Sequence, residues 1–318
     1  MENILVTGGA GAIGSRLVEK LSLKEDCRII VLDNLSSGYI ENIPPKKNVL
    51  FIQGDITSED VLKTVFVEKI KIIFHLAANF ANQNSIDFPE KDLSVNGFGT
   101  LKLLERSVEH KVEKFIYTSS SCIYGQKNKP LSEVMTAYSL DTPYAITKLL
   151  GERYVTYFHE HYGLPTVALR YFNSYGPGEF PGKYRNVIPN FFYKAVKGLP
   201  LIITGTGDET RDFNFIDDAV VGTILASEVE AAVGQTFNIG SGKETRILKI
   251  AEEINRITNN KGGIQFKEKR KWDSITTRVS SIERAKRLLG YSPQTDLSVG
   301  LQTTYDWIKD IDFNKCAF

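Results

Sequence analysis

Tyr144 and Lys148 stand four residues apart in the run Pro143-Tyr144-Ala145-Ile146-Thr147-Lys148. At the head of a helix, which the chain allows to about His161, the two side chains share one face. A nearby ammonium stabilises phenolate and draws a tyrosine pKa down from about 10. Such a tyrosine takes a proton from a sugar hydroxyl as hydride leaves the same carbon. Ser120, at the end of the run Lys114-Phe115-Ile116-Tyr117-Thr118-Ser119-Ser120, offers a hydroxyl to complete the proton path. The spacing alone is ordinary helix-surface chemistry. It acquires meaning if the chain also brings a hydride acceptor to it.

The first fifteen residues provide for one. Asn3-Ile4-Leu5-Val6-Thr7 is a short apolar run of the kind that forms a buried parallel strand, and Gly8-Gly9-Ala10-Gly11-Ala12-Ile13-Gly14 follows at once. Gly8 permits the turn, Gly11 lets the backbone approach a diphosphate, and Gly14 lets the next helix lie close to the strand. The leading N–H groups of that helix and the positive end of its dipole suit a pyrophosphate. A second apolar run, Arg28 to Leu32, ends in Asp33, where an acid that accepts from ribose hydroxyls belongs. Asp33 repels a 2′-phosphate, and from Asn34 to Ile43 there is no Lys or Arg to hold one, so the cofactor expected is NAD rather than NADP. Asp55, at the end of a third strand from Val49, reads equally as a contact to an adenine amino group and as a loop residue.

The elements that must position these groups alternate strand and helix through the first half, which implies a parallel sheet covered on both faces. Ser58 reads as the N-cap of a helix to Glu68 with Val61, Leu62, Val65 and Phe66 inward. Ile72 to Ala78 reads as strand four, with small residues at its end that leave room for a ligand; His75 inside it reads as structural. Asn79 to Pro89 reads as a loop and Phe88 to Glu109 as a long helix. Asn96 lies inside that helix although its amide competes with the backbone, which points to a specific task. Beyond strand six, Val167 to Asn173, a Gly- and Pro-rich loop leads to a helix beginning at Val187. Further elements read from sequence are a strand at Leu201 and helices over 280–289 and 297–308.

With 318 residues the chain can bury a large core and is expected to form two lobes. The formal net charge of +1 gives no electrostatic case for nucleic acid or an anionic membrane. Cys27, Cys122 and Cys316 lie far apart, form no metal or redox motif, and suit a reducing cytosol. No apolar run approaches the ~20 residues of a membrane span. With the first strand beginning by residue 3, no signal peptide is expected, and the location expected is cytoplasmic.

The sequence resembles an extended short-chain dehydrogenase/reductase of the nucleotide-sugar epimerase/dehydratase group. The resemblance rests on Thr7 to Gly14, Asp33 to Gly38, His75-Leu76-Ala77-Ala78, Val95-Asn96-Gly97-Phe98-Gly99-Thr100, Ser119 to Gly125 and Pro143 to Lys148, and continues through the second half. Ala12 departs from the family's usual Phe without altering the turn. The resemblance implies a doubly wound parallel (Rossmann) α/β sheet over residues 1–173, completed by segments near 206–240, and a smaller C-terminal α/β substrate lobe over 174–318. It makes Tyr144 the acid/base, Lys148 the holder of the nicotinamide ribose, Ser120 a partner in proton transfer and Asn96 a support of the site. NAD would lie against Gly8, Gly11, Ala12, Ile13, Gly14, Asp33, Asn34, Ser37, Gly38, Asp55, Ile56, Leu76, Ala77, Ala78, Asn96, Ser119, Tyr144, Lys148 and Tyr171. A nucleotide-diphosphate sugar would lie against Phe80, Ser120, Ser121, Tyr144, Asn173, Val187, Arg211 and Arg270, the two arginines on the diphosphate. From the residues alone, the alternative for Arg211 is a pair with Asp212 or Asp217. Lys271 and Trp272 replace the family's usual Pro-Gly after Arg270. A homodimer through the helices near 88–109 and 142–162 is also implied.

The family's 4,6-dehydratases carry an Asp-Glu pair where this chain has Ser121 and Cys122, and its UDP-glucuronate decarboxylases carry a Glu there. Without a carboxylic acid, plain redox at a sugar carbon remains, most readily C4. The expected activity is a nucleotide-sugar 4-epimerase, in which a 4-keto intermediate turns over and hydride returns to its other face. The alternative is a 4-dehydrogenase that releases the keto sugar; a non-catalytic NAD-binding module is the third reading.

Overall fold

The computed structural model describes residues 2–126, 130–135, 137, 139–270, 273 and 275–316. Met1, Lys271 and Trp272 therefore lie outside the described residues. Seven strands form the central sheet: β1 (Glu2–Thr7), β2 (Cys27–Asp33), β3 (Val49–Gln53), β4 (Ile72–His75), β5 (Lys114–Ser120), β6 (Thr166–Tyr171) and a last strand, Thr236–Ile239. Their spatial order is last strand, β6, β5, β4, β1, β2, β3. Every neighbouring pair is parallel. The strands are apolar on both faces, as a sheet covered on both sides requires. The order reverses between β1 and β4, and at such a reversal a crevice opens beyond the carboxyl ends of the strands.

One face buries Ile4, Val6, Ile29 and Val31 against Leu17 and Val18 of helix α1 (Ala12–Leu21) and against Ala219, Val220 and Ala226 of the helix Ile216–Glu228. The other buries Leu5, Ile30, Ile73 and Phe115 against Leu62 and Val65 of the helix Glu59–Phe66, and against Leu103, Leu104, Val155 and Phe158. Ser58 caps Glu59–Phe66 through its hydroxyl, as expected. A third apolar cluster joins Phe191 and Phe192 of the helix Val187–Val196, Ile250 and Ile254 of Ile247–Thr258, and Leu301 and Ile308 of Leu297–Ile308, with Tyr175 and Phe213. Ala12 and Ile13, at the start of α1, pack on its border.

Two stretches that reach the cavity differ from the sequence reading. Asn79 to Pro89 is not all loop: Asn82–Asp87 is a helix, with Ser85 buried and its hydroxyl donating to the Asn82 carbonyl. The helical stretch Pro89 to Glu109 is continuous, but Leu93–Gly99, centred on Asn96, is wound as a π-helix. Such widened turns are frequent where a helix serves a site. The helix Pro143–Tyr162 begins at Thr142, whose hydroxyl accepts from Ala145 N at 3.3 Å, and ends at Gly163 with φ +68°. Among the described residues no helix is long and apolar enough to cross a membrane, and no group of His, Cys, Asp and Glu could hold a metal.

Candidate active site

A cavity of about 750 Å³ lies beyond the carboxyl ends of the strands, within the range of ligand pockets. At one end is the glycine turn. Gly8 has φ +71°, and a Cβ there would stand 2.6 Å from the Ala77 nitrogen; a Cβ on Gly14 would stand 2.1 Å from the Gly8 carbonyl oxygen. Side chains at either position would push the turn away from β4 or lift α1 from it. Gly11 is the N-cap of α1 and supplies no side-chain cap, so the leading N–H groups remain for an anion. Ala12, Ile13 and Gly14 line the cavity with them.

Asp33 closes β2 and is largely buried. Its Oδ2 accepts from Ala10 N at 3.0 Å and its Oδ1 from Leu35 N at 2.8 Å. Burial raises its pKa and the two backbone bonds oppose the rise. The carboxylate thus ties the glycine turn to the 34–38 loop while its remaining lone pairs face the cavity. Asn34, Ser37, Gly38, Asp55, Ile56, Leu76, Ala77, Ala78, Ser119 and Tyr171 also line the cavity. Asp55 accepts from Thr57 N and Asn34 Nδ2 at 2.8 and 2.7 Å. The Ser119 hydroxyl is buried without a partner. A cradle that tolerates no Cβ, uncapped N–H groups and an orphan hydroxyl fit a dinucleotide, and Asp33 fits its ribose.

Ser120, Tyr144 and Lys148 line the same cavity. The Ser120 hydroxyl draws the Tyr144 pKa down, and its oxygen accepts from Cys122 N at 3.2 Å. Lys148 Nζ donates to the Thr118 carbonyl at 2.8 Å and lies 6.0 Å from the Tyr144 ring centre. Burial pushes the lysine pKa down to about 8, opposed by Asp92. The expected depression of the Tyr144 pKa is not found. Burial raises it, the Cys122 thiol raises it further, and the Ser120 bond only partly offsets this. Burial dominates the phenol, and the Lys148 ammonium donates to β5.

Asn96 is the site residue that the fold moves. It is buried and stands behind the cavity wall rather than on it. Its Oδ1 accepts from Asn79 N at 2.8 Å, and its Nδ2 donates to Asp92 Oδ1 at 3.0 Å and Thr147 Oγ1 at 3.2 Å. It therefore fastens residue 79 and its own helix at Asp92 to the helix that carries Tyr144 and Lys148. His75 is structural, as its place in β4 implies. It is bonded to Thr7 and Thr100 at 2.7 and 2.9 Å, and burial lowers its pKa to about 3.

Phe80, Ser121, Asn173, Val187, Arg211 and Arg270 also line this cavity. Arg211 pairs with neither acid that the sequence offered. It meets Asp273 at 3.2 Å. Asp212 instead accepts from Ser241 N and Gly242 N at 2.7 and 3.0 Å and from the Ser280 hydroxyl, and Asp217 pairs with Arg16. Among the charged residues of the wall that sequence reasoning missed are Glu179, Arg185 and Arg278. Glu179 is buried, accepts from Asn186 Nδ2 at 2.8 Å, and has its pKa pushed up to about 7 by that burial. Its place between Gly178 and Pro181 marked a loop but gave no sign of burial. Arg185 donates to the Ser37 carbonyl across the mouth.

The model of the NAD dependent epimerase/dehydratase family matches residues 4–240. A putative UDP-glucose 4-epimerase of Methanocaldococcus jannaschii is 32% identical over 309 residues, covering 96% of this chain and 98% of that one. An epimerase structure from Methanothermobacter thermautotrophicus superimposes with a TM-score of 0.96 at 48% identity, over 100% of this chain and 96% of that one. The UDP-glucose 4-epimerase of Thermotoga maritima with UDP-glucose gives 0.91 at 35% identity, over 96% and 98% of the two chains. The glycine turn, the Asp33 carboxylate and the Ser120, Tyr144 and Lys148 cluster thus stand in a chain that belongs to the NAD-dependent epimerase/dehydratase family.

Proposed function

We propose that the chain is a nucleotide-sugar 4-epimerase. What carries this reading is one cavity lined at once by the dinucleotide cradle, by Ser120, Tyr144 and Lys148, and by Arg211 and Arg270. Gly8 to Gly14 with Asp33 would hold NAD, and Lys148 its nicotinamide ribose. When bound, NAD would supply a reversible hydride acceptor and a positive charge favouring the Tyr144 phenolate. Tyr144 takes the proton of the sugar 4-hydroxyl, Ser120 relays it, and the same groups return a proton when the 4-keto sugar is reduced. Arg211 and Arg270 would bind the diphosphate through charge-assisted hydrogen bonds. The third apolar cluster, with Val187 at its edge, would carry the nucleotide, so residues 174–318 would serve mainly as the substrate lobe.

Ser121 and Cys122 support epimerisation over dehydration, because neither offers a carboxylate to deprotonate C5. The test is an incubation of purified protein, without added cofactor, against a panel of nucleotide sugars, with products resolved by chromatography and absorbance followed near 340 nm. Many turnovers to a mixture of C4 epimers without lasting absorbance are expected. A stoichiometric burst of absorbance that stalls refutes epimerisation and makes the chain a 4-dehydrogenase. We propose further that it dimerises through the packed helices Pro89 to Glu109 and Pro143–Tyr162, where Leu93, Phe98 and Ile146 are each more than half exposed.

A further inference from the structure

The short strands Thr210–Arg211 and Thr277–Arg278 pair in parallel, and the register sets Arg278 beside Arg211. Both side chains line the cavity. Arg211 has Asp273. Arg278, 7% exposed, forms no ion pair among the described residues. Its Nη1 donates to Cys122 Sγ and its Nη2 to the Gly125 carbonyl, both at 3.4 Å, and its Nε is buried with no partner. A buried guanidinium without a carboxylate is unfavourable. A like charge beside it in the sheet adds repulsion. An anion in the cavity relieves both.

Its place says which anion. The Cys122 thiol accepts from Arg278, the Cys122 N–H donates to Ser120, and Ser120 lines the same cavity as Tyr144. Arg278 therefore belongs to the sugar side of the cavity, next to the group assigned to the 4-hydroxyl. Position 122, which bears no acid, leaves that cation uncompensated. We infer that the sugar carries a carboxylate on a substituent next to C4, and that Arg278 binds it. The carboxylate is either C6 of a uronate or an acid ether on O3. The inference rests on the proposed C4 reading, which places Tyr144 at that hydroxyl.

Calorimetric titration of the NAD-saturated protein tests it, with UDP-glucuronate and UDP-N-acetylmuramate against UDP-glucose and UDP-N-acetylglucosamine, and UDP as control. One acidic sugar should bind about 10- to 100-fold tighter than its neutral counterpart, the span of one charge-assisted hydrogen-bond set. Arg278→Gln should collapse that ratio and Arg278→Lys should keep part of it. Which acid wins separates the uronate from the O3 ether. Equal binding of acidic and neutral sugars, or a ratio untouched in Arg278→Gln, overturns the inference and leaves the epimerase reading standing. Failure of UDP and every sugar to bind removes that reading and the inference with it. If Arg278→Gln does not fold, the wild-type ratio and the Lys variant decide.

Discussion

Replacing Asn96 by Ala should damage the site without touching a ligand. The side chain is 1% exposed and joins three segments: the 79–81 turn, its own helix at Asp92, and the Tyr144 helix at Thr147. Truncation orphans the Asn79 N–H, which costs about 1–3 kcal/mol, and removes a bond to a carboxylate, worth about 1.5–3 kcal/mol. The Thr147 hydroxyl still donates to Asp92 Oδ2 at 2.5 Å, which retains part of the second term. A net loss of about 3–5 kcal/mol follows, or a fall in Tm of about 5–15 °C for a chain of this size. Thermal unfolding of the parent and Asn96→Ala gives the stability term, and kcat with KM on the same samples gives the functional one. A positioning residue lowers Tm and kcat together, because Thr147 precedes Lys148 on the same helix. A Tm within about 1 °C of the parent, with the whole loss in cofactor affinity or KM, would refute the reasoning and return Asn96 to the cavity wall.

Tyr144→Phe should lower kcat by about 10²- to 10⁴-fold while sugar binding survives; near-normal turnover in a direct epimer assay would exclude Tyr144 as the acid/base. Glu179 titrates near pH 7 when folded against an ordinary 4.5, so the unfolded chain loses this proton first. Its contribution is then full below pH 4.5 and declines by about 3 kcal/mol as pH rises to 7. Unfolding curves of the parent and Glu179→Gln should diverge over that window in favour of the Gln variant, and parallel curves would show that Glu179 is not held protonated. Gly14→Ala places a methyl 2.1 Å from the Gly8 carbonyl oxygen and should abolish NAD binding by fluorescence titration; unaltered binding would mean that the turn is not the cradle. Leu93→Asp combined with Ile146→Asp should convert a dimer into monomers by light scattering, and a parent that is already monomeric would remove that proposal.

What could be read ahead of the structure was whatever a local pattern decides. Gly8 fixes the turn by its φ of +71° and Gly14 by its contact with the Gly8 carbonyl, and Asp33 follows from its distance down the chain. β5 runs from Lys114 to Ser120 and the last long helix from Leu297 to Ile308, where the sequence placed them. The helix Ile216–Glu228 was missed because it is buried broadly, from Ile216 and Ala219 through Gly222 to Ala226, and so shows no clear polar stripe. The partners of charged groups were hidden for another reason. Asp212 adjoins Arg211 but is consumed by Ser241, Gly242 and Ser280, so the arginine turns to Asp273, 62 residues on. Cys122 and Arg278 meet across 156 residues.

Tyr144 and Lys148 mark the limit most clearly. Their spacing assigns them to one helix face, and the fold agrees. Yet the ammonium's effect on the phenol depends on where its one short bond goes, and that is set by the Thr118 carbonyl on β5, 30 residues away in sequence. Until a ligand offers Lys148 another partner, burial governs Tyr144. Proximity along a helix therefore identifies the two groups that must cooperate, while the strand beneath them decides when they do.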